Sequence, residues 1–121
     1  MADFNGRTIA VTGAAQGIGR ATATILHSRG ASLALADVKA GPLKDFVESL
    51  KCSESQKITQ HVVDVRDTKQ VDNWFEGIIK DFGKLDGACN IAGVVTPDIG
   101  GITKTTDEIW DFVMGVNATG V

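Results

Sequence analysis

Short apolar runs alternate along the chain with stretches whose apolar positions recur at helical spacing. The runs are rich in β-branched residues and predict strands at residues 8–12, 32–37, 58–63 and 85–91. Because they are almost continuously apolar instead of alternating with polar residues, we expect these strands to be buried on both faces.

Helical patterns lie between the predicted strands. The first helix is predicted from about Gly17 to Arg29, ending before Gly30, and a second covers residues 42–50 with Pro42 near its first turn. A third helix follows Asp67, which with Gln70 predicts an N-terminal cap. Its apolar positions recur every 3.6 residues and form one stripe, made by Val71, Trp74, Phe75, Ile78, Ile79 and Phe82.

A last helix is predicted to begin near Thr105, where Thr105 and Glu108 have the spacing of a capping box. Its apolar positions include Trp110 and Val116. We expect Trp110, like Trp74 of the third helix, to pack in a core or an interface, because large aromatic side chains on apolar helix faces are usually buried.

The alternation of strands and helices with short connections predicts an α/β fold. The expected architecture is the first half of a Rossmann-type, doubly wound parallel sheet with strand order 3-2-1-4, as one domain over residues 1–121 that is incomplete at its C-terminus. Ligands bind such sheets outside the carboxyl ends of the strands. Strands one and four flank the point where the strand order reverses, so we expect the site there.

Composition excludes several classes of function. The 121 residues carry a net charge of −3 and contain no run of lysine or arginine, which argues against a nucleic-acid partner. No apolar run approaches the roughly 20 residues that span a bilayer, and the first residues are too polar for a signal peptide. Cys52 and Cys89 lie far apart without a Cys-x-x-Cys spacing, so we expect no metal site. A cytoplasmic protein is predicted.

A glycine-rich turn connects the first predicted strand to the first predicted helix, with the sequence TGAAQGIG at residues 12–19. We expect Gly13 to close the strand with a tight turn, Gly17 to let the backbone approach a pyrophosphate, and Gly19 to let the helix pack closely on the strand. The phosphates would then face the free N–H groups at the helix N-terminus. The alternative is an ordinary glycine-rich turn without a ligand.

Asp37 ends the second predicted strand, close to the spacing at which an acidic residue binds the ribose hydroxyls of a dinucleotide. A carboxylate there favours NAD, because it would repel the 2′-phosphate of NADP, and Lys39 is the one cation nearby in the sequence. NADP is therefore the less favoured cofactor. The alternative for Asp37 is a solvated loop residue.

Together these motifs resemble the short-chain dehydrogenase/reductase family, and the resemblance spans essentially the whole chain. The glycine spacing of residues 12–19 is that of the family, and CNIAG at residues 89–93 is similar to its Asn-Asn-Ala-Gly segment after the fourth strand. Cys89 replaces the first asparagine of that segment. Asp64-Val65 resembles the pair that contacts adenine, with a turn cap as the alternative for Asp64, and NATG at residues 117–120 resembles the family's Asn-x-x-Gly.

The resemblance implies a set of site residues. Asn117 is implied to be catalytic, as a member of an Asn-Ser-Tyr-Lys tetrad in which it holds a water of the proton relay. The serine and the Tyr-x-x-x-Lys are expected beyond residue 121, since the sequence contains no tyrosine. A plain helix residue is the alternative for Asn117. The implied cofactor-binding residues are Gly13, Gln16, Gly17, Ile18, Gly19, Asp37, Asp64, Val65, Asn90, Ala92 and Gly93.

Three functions remain open at this point. The first is an NAD-dependent oxidoreductase that transfers a hydride between nicotinamide and a secondary alcohol or ketone, a small-molecule substrate whose identity the sequence does not indicate. The second is a catalytically silent protein that binds a dinucleotide or regulates a longer relative. The third is a relative recruited for isomerisation or cyclisation without net redox. The resemblance also implies a homo-oligomeric parent protein.

Overall fold

The computed structural model describes residues 3–96 and 100–121. Four parallel strands form one sheet in the order β3-β2-β1-β4. The predicted α/β fold with strand order 3-2-1-4 is therefore confirmed. The strands are β1 at Thr8–Thr12, β2 at Ser32–Asp37, β3 at Ile58–Val62 and β4 at Gly87–Cys89.

The helices follow the strands in the predicted order. A 3₁₀ turn at Ile102–Lys104 precedes the last of them, and that last helix continues into a π-helical segment at Gly115–Thr119. None of the helices in the described part of the chain is long and apolar enough to cross a membrane. The α-helices are α1 at Gly17–Ser28, α2 at Ala40–Ser49, α3 at Thr68–Phe82 and α4 at Asp107–Met114.

The central strands are buried on both faces, and side-chain size differs between the faces. On one face Leu33 and Leu35 of β2 pack with residues of α1 and α2 such as Phe46. On the other face Ala34 and Ala36 leave room for the ring of Trp74 from α3. Trp74 is only 3% exposed, so its predicted place in the core is confirmed. The two apolar layers hold the sheet between helices, as a doubly wound fold requires.

The outer strands differ from the prediction. The last three residues of β3 are exposed, and β4 has three residues instead of the seven predicted. The expectation that the strands are buried on both faces is wrong for β3 and for β4, because within the described residues each is an outer strand that pairs with a single neighbour. An outer strand lacks a neighbour on one side, so polar residues such as Gln60 and His61 are tolerated there.

Two predicted helix ends are confirmed. The Asp67 carboxylate accepts hydrogen bonds from the backbone N–H groups of Lys69 and Gln70, at 3.0 and 3.2 Å, and so caps α3. The Gln70 amide does not close the box in the usual way: it donates to Asp67 and accepts from the backbone N–H of Asp64. Gly30 follows the end of α1 with φ of +92°, a conformation that glycine adopts readily.

The start of α4 lies one residue later than predicted. The N-cap is Thr106, whose hydroxyl accepts a hydrogen bond from the backbone N–H of Ile109 at 3.3 Å, and not Thr105. Glu108 is consequently the second residue of the helix and cannot complete a capping box with Thr105. Trp110 is 57% exposed, so it does not pack in the core of this chain, and its place in an interface stays a prediction.

Candidate functional site

A cavity of about 630 Å³ opens where the carboxyl ends of the strands meet, a size typical of small-molecule sites. It is lined by the turn after β1, the ends of β2 and β3, the segment after β4 and part of α4. All the predicted cofactor-binding residues except Asn90 line it: Gly13, Gln16, Gly17, Ile18, Gly19, Asp37, Asp64, Val65, Ala92 and Gly93.

Each of the three glycines of the turn is required for a different structural reason. Gly13 has φ of +67°, and a Cβ there would come within 2.9 Å of the Ala92 backbone. A Cβ on Gly19 would overlap the carbonyl oxygen of Gly13, which agrees with the close helix packing expected for this residue. At Gly17 φ is +55°, and apart from its chain neighbours and the backbone of α1 no atom of the described residues lies within 4 Å of a Cβ position, so the backbone there is open to a ligand.

The N-terminus of α1 is available to an anion. Gln16 is the N-cap, its backbone is extended, and within the described residues its side chain makes no capping hydrogen bond. The first turn of α1 carries no acidic residue. Free N–H groups and the positive end of the helix dipole therefore point at the cavity, where they suit a phosphate group.

Asp37 is 9% exposed and binds the glycine turn to β2. One carboxylate oxygen accepts a hydrogen bond from the backbone N–H of Ala15 at 2.9 Å, and the other accepts from the backbone N–H of Lys39 at 3.0 Å. A carboxylate has about four acceptor positions, so two remain for hydroxyl groups in the cavity. The Lys39 ammonium group donates to the Gln16 side chain at 3.0 Å.

Thr12 has a role that sequence reasoning missed. Its hydroxyl oxygen accepts hydrogen bonds from the backbone N–H groups of Ile91 and Ala92, each at 3.1 Å. These bonds fix the segment after β4 against the end of β1, where the strand pairing has already ended. The signal in the sequence was a hydroxyl residue directly before Gly13, at the end of a buried strand.

Asp64 forms an ion pair with Arg66 at the end of β3. Arg66 donates to both carboxylate oxygens, with the shortest contact at 2.6 Å, and its backbone N–H donates to Oδ1 at 2.9 Å. The Arg66 hydrogen bonds lower the pKa of Asp64, and the same contact raises the pKa of Arg66. Asp64 is therefore an ionised acceptor beside the cavity.

Arg66 and Phe112 both line the cavity, and neither was predicted. The guanidinium carbon of Arg66 lies 5.0 Å from the centre of the Phe112 ring, a distance at which a cation and an aromatic face attract each other. Phe112 belongs to α4, more than 40 residues along the chain, so only the fold brings the two together.

The two predicted asparagines lie outside the cavity lining. Asn117 lies in the π-helical segment, where its amide accepts from the Val94 N–H and donates to the Val94 carbonyl, both at 2.8 Å. It thereby fixes the segment after β4 to the end of α4, and its catalytic role stays a prediction. Asn90 is exposed between Cys89 and Ile91, which both pack against the α1 and α2 core, so the alternation of side chains directs it away.

The site suits a dinucleotide better than a metal. Residues 3–96 and 100–121 contain no group of three histidine, cysteine, aspartate or glutamate side chains that could hold an ion. The cavity instead has the groups that bind pyrophosphate and ribose, namely a glycine-rich turn, a free helix N-terminus and a carboxylate with open acceptor positions.

Comparison with known proteins agrees with this geometry. The family model described as Enoyl-(Acyl carrier protein) reductase matches residues 13–121. Short-chain dehydrogenase/reductase aba4 from Botryotinia fuckeliana is 44% identical over 97% of this chain and 46% of its own length. Chanoclavine-I dehydrogenase from Aspergillus fumigatus is 40% identical over 100% of this chain and 49% of its own. This chain thus spans about half the length of these relatives.

Solved structures show the same arrangement. The crystal structure of a short chain dehydrogenase/reductase from Burkholderia phymatum in complex with NAD superposes with a TM-score of 0.88 at 32% identity. The match covers 99% of this chain and 42% of that protein.

Proposed function

Because the chain belongs to the short-chain dehydrogenase/reductase family, we propose that its cavity binds NAD for hydride transfer between nicotinamide and a secondary alcohol or ketone. Family membership supports a dehydrogenase or reductase function in general, without identifying the cofactor or the substrate. The observation that carries the proposal is the joint placement of the glycine turn and Asp37 on one cavity. Further parts of the proposal are a small-molecule substrate, a homo-oligomeric protein and a cytoplasmic location.

The proposed contacts follow the cavity from one end to the other. The α1 N-terminus holds the pyrophosphate, and Gly17 allows the backbone to approach it. Asp37 accepts hydrogen bonds from the adenosine ribose, and Asp64 with Val65 borders the adenine. Ala92 and Gly93, after β4, face the nicotinamide. The Burkholderia phymatum protein, whose structure is described as a complex with NAD, supports this choice of ligand.

NAD is favoured over NADP by the balance of charge around the ribose. The Asp37 carboxylate would lie next to a 2′-phosphate and repel it. Lys39 would attract a 2′-phosphate, but its ammonium group is hydrogen-bonded to the Gln16 side chain and would have to leave that contact to bind the phosphate. The repulsion therefore decides the preference.

Bound NAD would supply the hydride acceptor. This chain's residues would orient the nicotinamide by the Ala92–Gly93 backbone, which the Thr12 hydroxyl holds at Ala92 and the Asn117 amide holds at the following residue, Val94. Asn117 is proposed to hold a water of the proton relay with what remains of its hydrogen-bonding capacity. Its Val94 contacts use one amide hydrogen and one oxygen lone pair, so one of each is left.

Nucleotide titration of the full chain tests the choice of cofactor. We expect NAD to bind at least about tenfold more tightly than NADP, because a like charge next to the 2′-phosphate costs more than about 1.4 kcal/mol. D37N, which removes the charge and keeps the shape, should reduce that ratio to near one. The control D45N changes an exposed aspartate of α2 and should leave the ratio unchanged. Equal affinities for both cofactors in the wild type would refute the preference for NAD.

Hydride transfer is tested separately from binding. Reduced nicotinamide is followed by its absorbance while a panel of secondary alcohols is offered with NAD to the protein at its full natural length. Formation of the reduced cofactor supports the oxidoreductase. Tight binding without reduction for any substrate would favour the catalytically silent alternative, and conversion of substrate without cofactor would favour the non-redox one.

A further inference from the structure

Two of the charged side chains that line the cavity pair with each other, and the other two do not. Among the described residues the lining contains two carboxylates, Asp37 and Asp64, and two cations, Lys39 and Arg66. Asp64 and Arg66 form the ion pair at the end of β3. Asp37 and Lys39 are just as close in the sequence, yet no ion pair joins them within residues 3–96 and 100–121.

Gln16 is the residue that keeps Lys39 away from Asp37. The Lys39 ammonium group donates to the side-chain oxygen of Gln16 at 3.0 Å and so connects the start of α2 to the glycine-rich turn. The contact that Lys39 makes with Asp37 comes from its backbone N–H, at 3.0 Å. The charged end of Lys39 is therefore directed to a neutral acceptor instead of to the nearby carboxylate.

The separation of these two charges has two consequences for a ligand. A lysine side chain is a flexible four-carbon stem, so a released Lys39 would be free to approach the Asp37 carboxylate or a phosphate beside it. Pairing with Asp37 would occupy acceptor positions that are open to ribose hydroxyls. The same pairing would offset the negative charge that repels a 2′-phosphate.

We propose that Gln16 is a positioning residue for the choice of cofactor: it binds the Lys39 ammonium group and thereby keeps the Asp37 carboxylate unpaired for the ribose and the cation away from a 2′-phosphate. This inference rests on the proposed NAD function. In this role Gln16 acts through Lys39, so its effect on cofactor choice should vanish when Lys39 is absent.

A double-mutant cycle tests the inference, with the ratio of the NADP Kd to the NAD Kd as its readout. Both constants are measured by titration of the protein at its full natural length, where the wild-type ratio should be at least about ten. Q16M keeps the side-chain length without the acceptor oxygen and should lower the ratio about fivefold, the upper range for an exposed ion pair. K39M should not lower the ratio, and Q16M/K39M should return it to the wild-type value or above.

The matched control is K44M in the Q16M background. Lys44 is an exposed cation of α2 that pairs with Glu48 at 3.7 Å and lies outside the lining of this cavity. Q16M/K44M should keep the lowered ratio of Q16M. Because K44M removes the same charge as K39M, a ratio restored by K44M would assign the effect to net charge and would refute the role of Lys39.

The outcomes distinguish the inference from the function on which it rests. If the wild type binds neither cofactor, both are refuted. If it binds NAD and NADP equally, dinucleotide binding stands, and the NAD preference and this inference are refuted. If it prefers NAD and Q16M keeps the full ratio, only the inference fails.

Two further results bear on Gln16 itself. A ratio that stays as low in Q16M/K39M as in Q16M would mean that Gln16 does not act through Lys39, and the inference would be wrong. Gln16 is exposed and within the described residues makes no capping hydrogen bond, so its substitution should leave the fold intact. If Q16M does not fold, Q16A takes its place in the cycle with the same expected ratios.

Discussion

Residues around the cavity hold the backbone in place and still present atoms to a ligand. Asp37 accepts from Ala15 and Lys39 and keeps open acceptor positions, so the same carboxylate shapes the turn and is available to ribose. Gly13 is a position at which no other residue fits without strain. Both its positive φ and the proximity of the Ala92 backbone exclude a side chain there.

G13A should therefore destabilise the protein by about 2–4 kcal/mol, as the sum of a left-handed backbone and overpacking against Ala92. The matched control is G77A in the middle of α3, where no atom of the described residues outside the helix backbone lies within 4 Å of a Cβ position. That control should stabilise by about 0.5–1 kcal/mol, because alanine favours helix. Urea unfolding measures both, and a G13A variant as stable as G77A would contradict this account.

Helix α4 has a defined start and an unusual end. Thr106 caps its first turn, and its hydroxyl beside Glu108 lowers the pKa of that carboxyl. At the other end the π-helical segment places Asn117 against Val94, and the Thr119 hydroxyl donates to the Gly115 carbonyl at 3.1 Å. The π-helical turn changes the angular position of Asn117 relative to a regular helix, and no sequence period predicts it.

The position of the cap is tested by two neighbouring threonines. T106A should lower the free energy of unfolding by about 1 kcal/mol, the usual cost of removing a threonine N-cap. T105A, one residue earlier, should change it by less than about 0.5 kcal/mol, since surface substitutions outside such features have small effects. Equal losses in the two variants, measured by thermal or urea unfolding, would show that the cap is not where the structure has it.

At the scale of the whole molecule, Asp86 connects the start of the sheet to the segment before β4. Its carboxylate accepts from the Thr8 backbone N–H at 2.8 Å and pairs with Arg7 and Lys84 at 2.9 and 3.1 Å. The Thr8 N–H, followed by Arg7 and Lys84, lowers the pKa of Asp86 to about 2. This contact joins residues 78 positions apart in the chain.

The lowered pKa makes stability depend on pH in a defined direction. In the unfolded chain an aspartate titrates near 3.9, about two units above the folded pKa of Asp86. Its contribution is therefore complete above about pH 4 and is lost as the pH falls towards 2. D86N should melt at a lower temperature than the wild type at pH 6, and the difference should shrink between pH 4 and pH 2. D72N, an exposed aspartate of α3, is the control, and a pH-independent difference for D86N would contradict the assignment.

The sequence by itself determined the order of elements, the parallel sheet and about half of the cavity lining. It could do so because these depend on local signals: buried strands are continuously apolar, and a turn that needs positive φ needs glycine at Gly13 and Gly17. The cap at Asp67 was predictable for the same reason, since an N-cap acts on residues two and three positions away.

Only the tertiary structure decided which distant residues meet. Arg66 reaches Phe112, Thr12 binds the segment after β4, and Asn117 binds Val94, although each pair is separated by more than 20 residues. The exposure of β3 and of Trp110 was decided in the same way, because burial depends on what packs against a segment and not on its own composition. The sequence thus identified the chemistry available in the chain, and the contacts of α4 and the π-helical segment with the segments after β3 and β4 determined which of these groups lie together.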